Sequence, residues 1–144
     1  MTDITRISPS EASEKLAGGW TYVDVRTTEE FEAGHPAGAV NVPLALAGPG
    51  AMVPNPDFLP AMKAAFALDA KIVVGCKSGG RSLRAAQALV AAGFTHVADQ
   101  RAGWDGARSA FGQVTEPGWL RAGLPAEEGQ PQGRSWHDVK LKAK

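Results

Sequence analysis

The stretch Lys71–Phe94, KIVVGCKSGGRSLRAAQALVAAGF, changes character twice. An unbroken apolar run, Ile72–Val74, stops at Gly75, and Cys76, the only cysteine in the chain, follows at once. A glycine-rich turn comes next, and then apolar residues at helical spacing. A strand with no polar alternation has both faces covered, as in a parallel sheet flanked by helices. Ser82–Ala92 reads as a helix with Leu83, Ala86, Leu89 and Val90 turned inward and Gly93 as its stop. The unit is strand, turn, helix, and it places the turn at the carboxyl edge of the sheet, where open parallel sheets bind their ligands.

Outward from this unit the same alternation continues. Ser8, Pro9 and Glu11 carry the spacing of a capping box with proline at the first helical position, so a helix runs to about Ala17 and stops at Gly18-Gly19. Trp20–Val25 is a strand. Thr27 and Glu30 repeat the capping-box spacing and open a short helix that ends at Gly34. Ala39–Val42 is a brief strand closed by Pro43. AGPGAMVPNPD marks an irregular loop, with Gly48–Asp57 a rim for any site nearby. Phe58–Leu68 is a helix with Phe58, Met62, Ala65 and Phe66 on one face, and Thr95–Ala98 is a further strand. Trp104–Ala110 and Pro117–Ala122 read as short helices. The order predicts an α/β fold of three layers, a mostly parallel central sheet of about five strands with helices on both faces.

Composition narrows the partners. Of 144 residues 44% are hydrophobic and 21% charged, as in a single soluble globular domain. Fifteen Lys and Arg balance fifteen Asp and Glu, which argues against nucleic acid or an anionic membrane as partner. No apolar run approaches the roughly 20 residues of a membrane span. The start, MTDITRIS, lacks the charged-then-apolar pattern of a secretory signal, so a cytoplasmic location is expected. One cysteine forms no internal disulfide and supports neither a CxxC redox pair nor a multi-thiol zinc site. His96 and His137 have no partners at ligand spacing, so neither metal nor other cofactor is expected. Residues 1–126 read as the folded domain. Residues 127–144 are polar, with Lys140, Lys142 and Lys144 clustered, and read as a solvated arm with Trp136 available to dock it.

Cys76 is the candidate nucleophile. A lone cysteine is more often a small buried hydrophobe, but here a lysine and an arginine flank it within one turn. Lys77, Ser78, Gly79, Gly80, Arg81 and Ser82 can curl their amides around the sulfur, with Gly79 and Gly80 free to take positive φ. The following helix points its partial positive end at the same spot. Each feature favours a thiolate over a thiol, and the same donors can hold an anion presented to it.

GCKSGGRS at Gly75–Ser82 resembles the active-site loop of the rhodanese (sulfurtransferase) family. YVDVRTTEEFEAGHPAGAVNVP precedes it, AGW and GWLRAGLP follow, and the resemblance covers roughly Ile4 to Pro125. It implies that Cys76 takes the outer sulfur of a small anionic donor such as thiosulfate as a persulfide. It then hands that sulfur to a thiol, small or protein-borne, or to cyanide. The substrate contacts would come from Lys77 to Ser82, with Asp24 and Arg26 as supporting residues and His35 beside them, in a chain that commonly acts as a monomer. Two stretches depart from commoner forms: Arg101-Ala102-Gly103-Trp104, where many relatives have a Gly-Gly pair, and SAFGQVTEP, which lengthens the connection after it. Both bear on the acceptor. The alternatives are a sulfur-carrier or regulatory binding module and a cysteine-loop phosphatase or arsenate reductase. The last is disfavoured by four residues between Cys76 and Arg81, one fewer than those enzymes use.

Overall fold

The apolar run Ile72–Val74 lies at the centre of a five-stranded parallel sheet in a computed structural model that describes residues 4–143. Met1, Thr2 and Asp3 of the opening stretch and Lys144 of the lysine cluster fall outside the described residues. In chain order the elements are β1 (Thr5–Ile7), α1 (Pro9–Ala17), β2 (Thr21–Asp24), α2 (Thr28–Ala33), β3 (His35–Pro36), β4 (Val40–Asn41), β5 (Ala45–Gly48), β6 (Ala51–Pro54) and α3 (Phe58–Ala65). Then follow β7 (Lys71–Gly75), α4 (Gly80–Ala91), β8 (His96–Gln100), β9 (Gly106–Arg108), β10 (Val114–Pro117), β11 (Ala126–Glu127) and α5 (Trp136–Lys140). The sheet order is β1-β8-β7-β2-β4, every neighbouring pair parallel.

The side-chain alternation of β7 divides the interior in two. Ile72 and Val74 pack with Phe58, Ala61 and Met62 of α3 and with Ala85, Ala86 and Leu89 of α4. Val73 faces the other way, with Ala12 of α1, Phe31 of α2 and Trp119. Helices therefore cover both faces, and the expected three-layer α/β architecture is the observed one. Both capping boxes form. Ser8 Oγ accepts from the Glu11 N–H (3.1 Å) and Glu11 Oε1 from the Ser8 N–H (2.9 Å). Thr27 and Glu30 do the same at 3.3 and 3.1 Å. No helix among the described residues is long and apolar enough to cross a membrane.

Several boundaries and elements differ from the sequence reading. α3 ends at Ala65, and α4 starts at Gly80 and buries Ala85 in place of Leu83 and Val90, which are only half-buried. AGPGAMVPNPD is not irregular. Its first part is the tip of an antiparallel ribbon, β5–β6, turning through Pro49-Gly50 with Gly50 at φ 75°. Trp104–Ala110 is not a helix: Gly103 and Gly106 both take positive φ, 67° and 121°, and the chain enters β9, which pairs with β10. Pro117–Ala122 makes one turn, closed by the Ala122 N–H on the Gly118 carbonyl, while Trp119 leaves it to fill the core. β1 is additional, a short edge strand whose one buried residue, Ile7, gave no periodicity to read.

The arm read beyond residue 126 is bound to the body rather than solvated. β11 pairs with β3, the Arg134 carbonyl accepts the Asn41 N–H at 2.8 Å, and Trp136 and Val139 sit in the core beside α3. A polar composition hid two apolar anchors three residues apart on one helical face. Trp136→Ala is expected to lower unfolding free energy by about 3 kcal/mol. Denaturant titration reads this directly; an unchanged midpoint would return the segment to the solvated reading.

Candidate active site

Cys76 follows β7 at the carboxyl edge of the sheet, and three residues, Lys77, Ser78 and Gly79, separate it from the first turn of α4. Gly79 closes the loop at φ 101°, and a Cβ there would strike the Arg101 carbonyl, so both conformation and space demand glycine. Gly80 does not take positive φ and faces open space, which corrects its expected part in the turn. The Gly79 N–H points at Cys76 Sγ, 3.1 Å away, and Ser82 Oγ lies 3.5 Å from the same sulfur. Ser82 also reaches the Gly79 carbonyl at 3.3 Å. On its other side the sulfur borders the apolar cluster of Val74 and Leu89, and Cys76 is only 2% exposed. A donor must therefore reach it with a terminal atom.

The two cations of the loop are engaged elsewhere. Lys77 Nζ is 3.8 Å from Asp105 and more than half exposed. Arg81 makes a two-pronged pair with Glu30 at 2.7 and 3.1 Å. Neither contacts the sulfur, so the Gly79 amide and the N-terminal dipole of α4 face it, while the Ser82 hydroxyl accepts from the thiol and donates to the Gly79 carbonyl. Of the six loop residues singled out in the sequence, Gly79 and Ser82 are brought onto Cys76. Ser78 faces a cavity beside the loop, and Lys77 and Arg81 anchor its ends.

Asp24 and Arg26 lie at the end of β2, both buried. The Arg26 guanidinium binds both Asp24 oxygens (2.7 to 3.1 Å) and the Gly34 carbonyl (2.6 Å), and stacks over Trp104 at 5.2 Å. This pair joins β2, α2 and the turn after β8. His35 is fully buried, stacked 3.6 Å from Phe31, with its ring nitrogens facing the Phe31 carbonyl and Glu127. The structure thus sets His35 between α2 and β11 and away from the cysteine loop. Among the described residues no three His, Cys, Asp or Glu side chains gather as a metal site.

Four residues that sequence reading passed over hold the loop. Gln100 Oε1 accepts the N–H groups of Ala102 and Gly103, both at 2.8 Å, and its Nε2 donates to the Gly103 carbonyl and the Tyr22 hydroxyl. The turn so fixed donates from Trp104 to the Cys76 carbonyl (2.8 Å) and from Asp105 to the Lys77 carbonyl (2.9 Å). A Cβ on Gly103 would stand 2.5 Å from the Lys77 oxygen, so the two turns touch backbone to backbone. Tyr22 presses its hydroxyl against Gly75, where any side chain would collide. Arg6 of β1 donates to Asp99 at 2.8 Å and to the Gly79 carbonyl at 3.3 Å. Asp99 is fully buried, its second oxygen has no hydrogen-bond partner among the described residues, and burial pushes its carboxyl above the usual range. A polar Asp-Gln pair ending a buried strand was the available signal; its partners lie up to 93 residues away in sequence.

Residues 8–110 match the family described as Rhodanese-like domain. Thiosulfate sulfurtransferase 16, chloroplastic, from Arabidopsis thaliana is 40% identical over 121 residues, 84% of this chain and 91% of the relative. Thiosulfate sulfurtransferase 18, also from Arabidopsis thaliana, is 38% identical over 104 residues, 71% of this chain and 76% of the relative. The crystal structure of Rv0390 from M. tuberculosis superposes with a TM-score of 0.74 at 28% identity, covering 89% of this chain and all of that one.

The Glu30–Arg81 pair, which ties α2 to the start of α4, carries a signature in pH. Burial pushes the Glu30 carboxyl up, but Arg81 and the Thr27 N–H outweigh it and bring it down to about 2 from 4.5. A carboxyl lowered in the folded state contributes stability that is complete above the unfolded value and lost as pH falls through the folded one. Glu30→Gln should therefore cost about 1–2 kcal/mol near pH 6, shrinking between about pH 4.5 and 2. Unfolding measured at both ends tests this, and an equal loss at both would show that the charge is irrelevant.

Proposed function

Because the chain belongs to the rhodanese-like domain family, we propose that it is a sulfurtransferase in which Cys76 carries sulfur as a persulfide between an anionic donor and a thiol or cyanide. The observation that carries this reading is the Gly79 N–H aimed at Cys76 Sγ at 3.1 Å, in a loop that opens a helix of 12 residues. An amide and a helix N-terminus at that distance favour negative charge on sulfur, both on the attacking thiolate and on the persulfide that replaces it.

The cycle has two displacements. The Cys76 thiolate attacks the outer sulfur of thiosulfate; a sulfur–sulfur bond forms to Cys76, and the bond within thiosulfate breaks with its electron pair leaving on sulfite. The acceptor's thiolate, or cyanide, then attacks the outer sulfur of the persulfide, and the electron pair of the broken bond returns to Cys76. No electrons enter or leave overall. With no second cysteine in the chain, the persulfide goes to another molecule, and the kinetics are ping-pong. With four residues between Cys76 and Arg81, one fewer than cysteine-loop phosphatases use, the loop length supports sulfur transfer over phosphate chemistry.

Incubation with thiosulfate followed by intact-mass measurement should show a gain of one sulfur atom, absent from Cys76→Ser. Wild-type protein that gains no sulfur, or a variant that still does, would overturn the mechanism.

A further inference from the structure

The two stretches that depart from commoner family sequences meet in space. Arg101 follows directly on β8, and SAFGQVTEP supplies the tip of the β9–β10 ribbon and its return strand. Arg101 grips Glu116 of that return strand with two bonds of 2.9 Å. The ribbon is thereby held over the cysteine loop, and a cavity of about 510 Å³ opens between them. Its polar wall is Arg6, Arg101, Arg108, Ser78, Thr115 and Glu116.

The charges do not cancel. Arg6 is answered by Asp99, buried behind it, and Arg101 by Glu116. Arg108 is exposed and among the described residues has only a neutral partner, the Gly112 carbonyl at 2.9 Å. The side chains of Arg6 and Arg101 remain 39% exposed. Glu11 of α1 also acts on Arg101, so the open charge of the wall is that of Arg108, and with hydroxyls from Ser78 and Thr115 beside it the wall suits a ligand bearing carboxylates. The cavity also adjoins the sulfur cradle. Ser78 stands between Cys76 and Gly79, and Arg6 holds the carbonyl of the residue whose N–H holds Sγ.

Resting on the sulfurtransferase reading, we propose that this cavity anchors the acceptor, a low-molecular-weight thiol that carries carboxylates, so that its sulfur attacks the Cys76 persulfide. Its thiolate attacks the outer sulfur, the bond to Cys76 breaks with the electron pair returning to Cys76, and the anchored product leaves as a persulfide. A thiol of equal reactivity but no carboxylate gains nothing from the arginines, so the cavity sets acceptor preference.

The test separates the half-reactions. Protein loaded with thiosulfate and freed of excess is mixed with glutathione or with neutral 2-mercaptoethanol, and loss of the persulfide is followed by mass. Arg108→Ala should lower the glutathione rate about three- to fivefold relative to the 2-mercaptoethanol rate on the same sample, and Arg108→Glu about tenfold or more. The glutathione advantage should also fall as salt rises. The 2-mercaptoethanol rate is an internal reference, so a misfolded variant does not mimic the effect. A glutathione to 2-mercaptoethanol ratio unchanged in both variants overturns the acceptor site. Slower loading by thiosulfate with that ratio intact assigns the cavity to the donor and overturns it as well. Wild-type protein that never loads defeats the sulfurtransferase reading itself.

Discussion

The backbone of Gly79, flanked by two peptide groups, is the point at which the site is held from two sides. Its N–H faces the sulfur, and its carbonyl accepts from Arg6 of β1 and lies within reach of Ser82 of α4. An amide is a useful donor to a developing charge only if it already points there, because reorienting it during reaction would cost what the contact returns. The positive φ at Gly79 aims the N–H inward, and the Arg101 carbonyl behind it leaves no room for a side chain. The loop is thereby fixed by backbone shape before any cation is considered.

Around this unit lies a belt of buried polar groups, unusual in cost. Asp24 with Arg26, Asp99 beneath the partly exposed Arg6, and Gln100 with Tyr22 and the Gly103 turn are withdrawn from water, Arg6 alone keeping one side in it. Breaking such a pair leaves an uncompensated group and costs several kcal/mol, whereas an apolar replacement of the whole pair can be neutral. Their presence is therefore weak evidence for stability and better evidence for placement. Arg6 with Asp99 and Gln100 with Tyr22 join strands far apart in sequence, Arg26 reaches from Asp24 to the Gly34 carbonyl and Trp104, and together they bring the turn after β8 against the turn after β7. Arg81 and Glu30 do the same from the other side, tying the cap of α2 to the first turn of α4. Paired in this way, Lys77 and Arg81 frame the loop, while the donor that faces the sulfur is the Gly79 amide, backed by the helix dipole.

Legibility followed locality. β7, α4, the capping boxes and the layered architecture rest on periodicity and on signals three residues apart, and these survived folding. Trp104–Ala110 and Pro117–Ala122 were misread because propensity says little where Gly103, Gly106 and Gly118 are present for close backbone approach. The segment after residue 126 was misread because two buried residues, Trp136 and Val139, outweigh a polar majority in deciding where a chain lies.

By itself the order of residues determined a parallel sheet, the position of Cys76 at its carboxyl edge, and a glycine turn leading into a helix N-terminus. These are consequences of side-chain period and backbone freedom, and need no partner. Only the tertiary structure decided which groups face the sulfur, that Arg6, Asp99 and Gln100 serve the loop, and that the β9–β10 ribbon roofs a basic cavity. Those contacts join residues separated by tens of positions, and an ion pair or a buried hydrogen bond leaves no periodic trace in the chain that makes it.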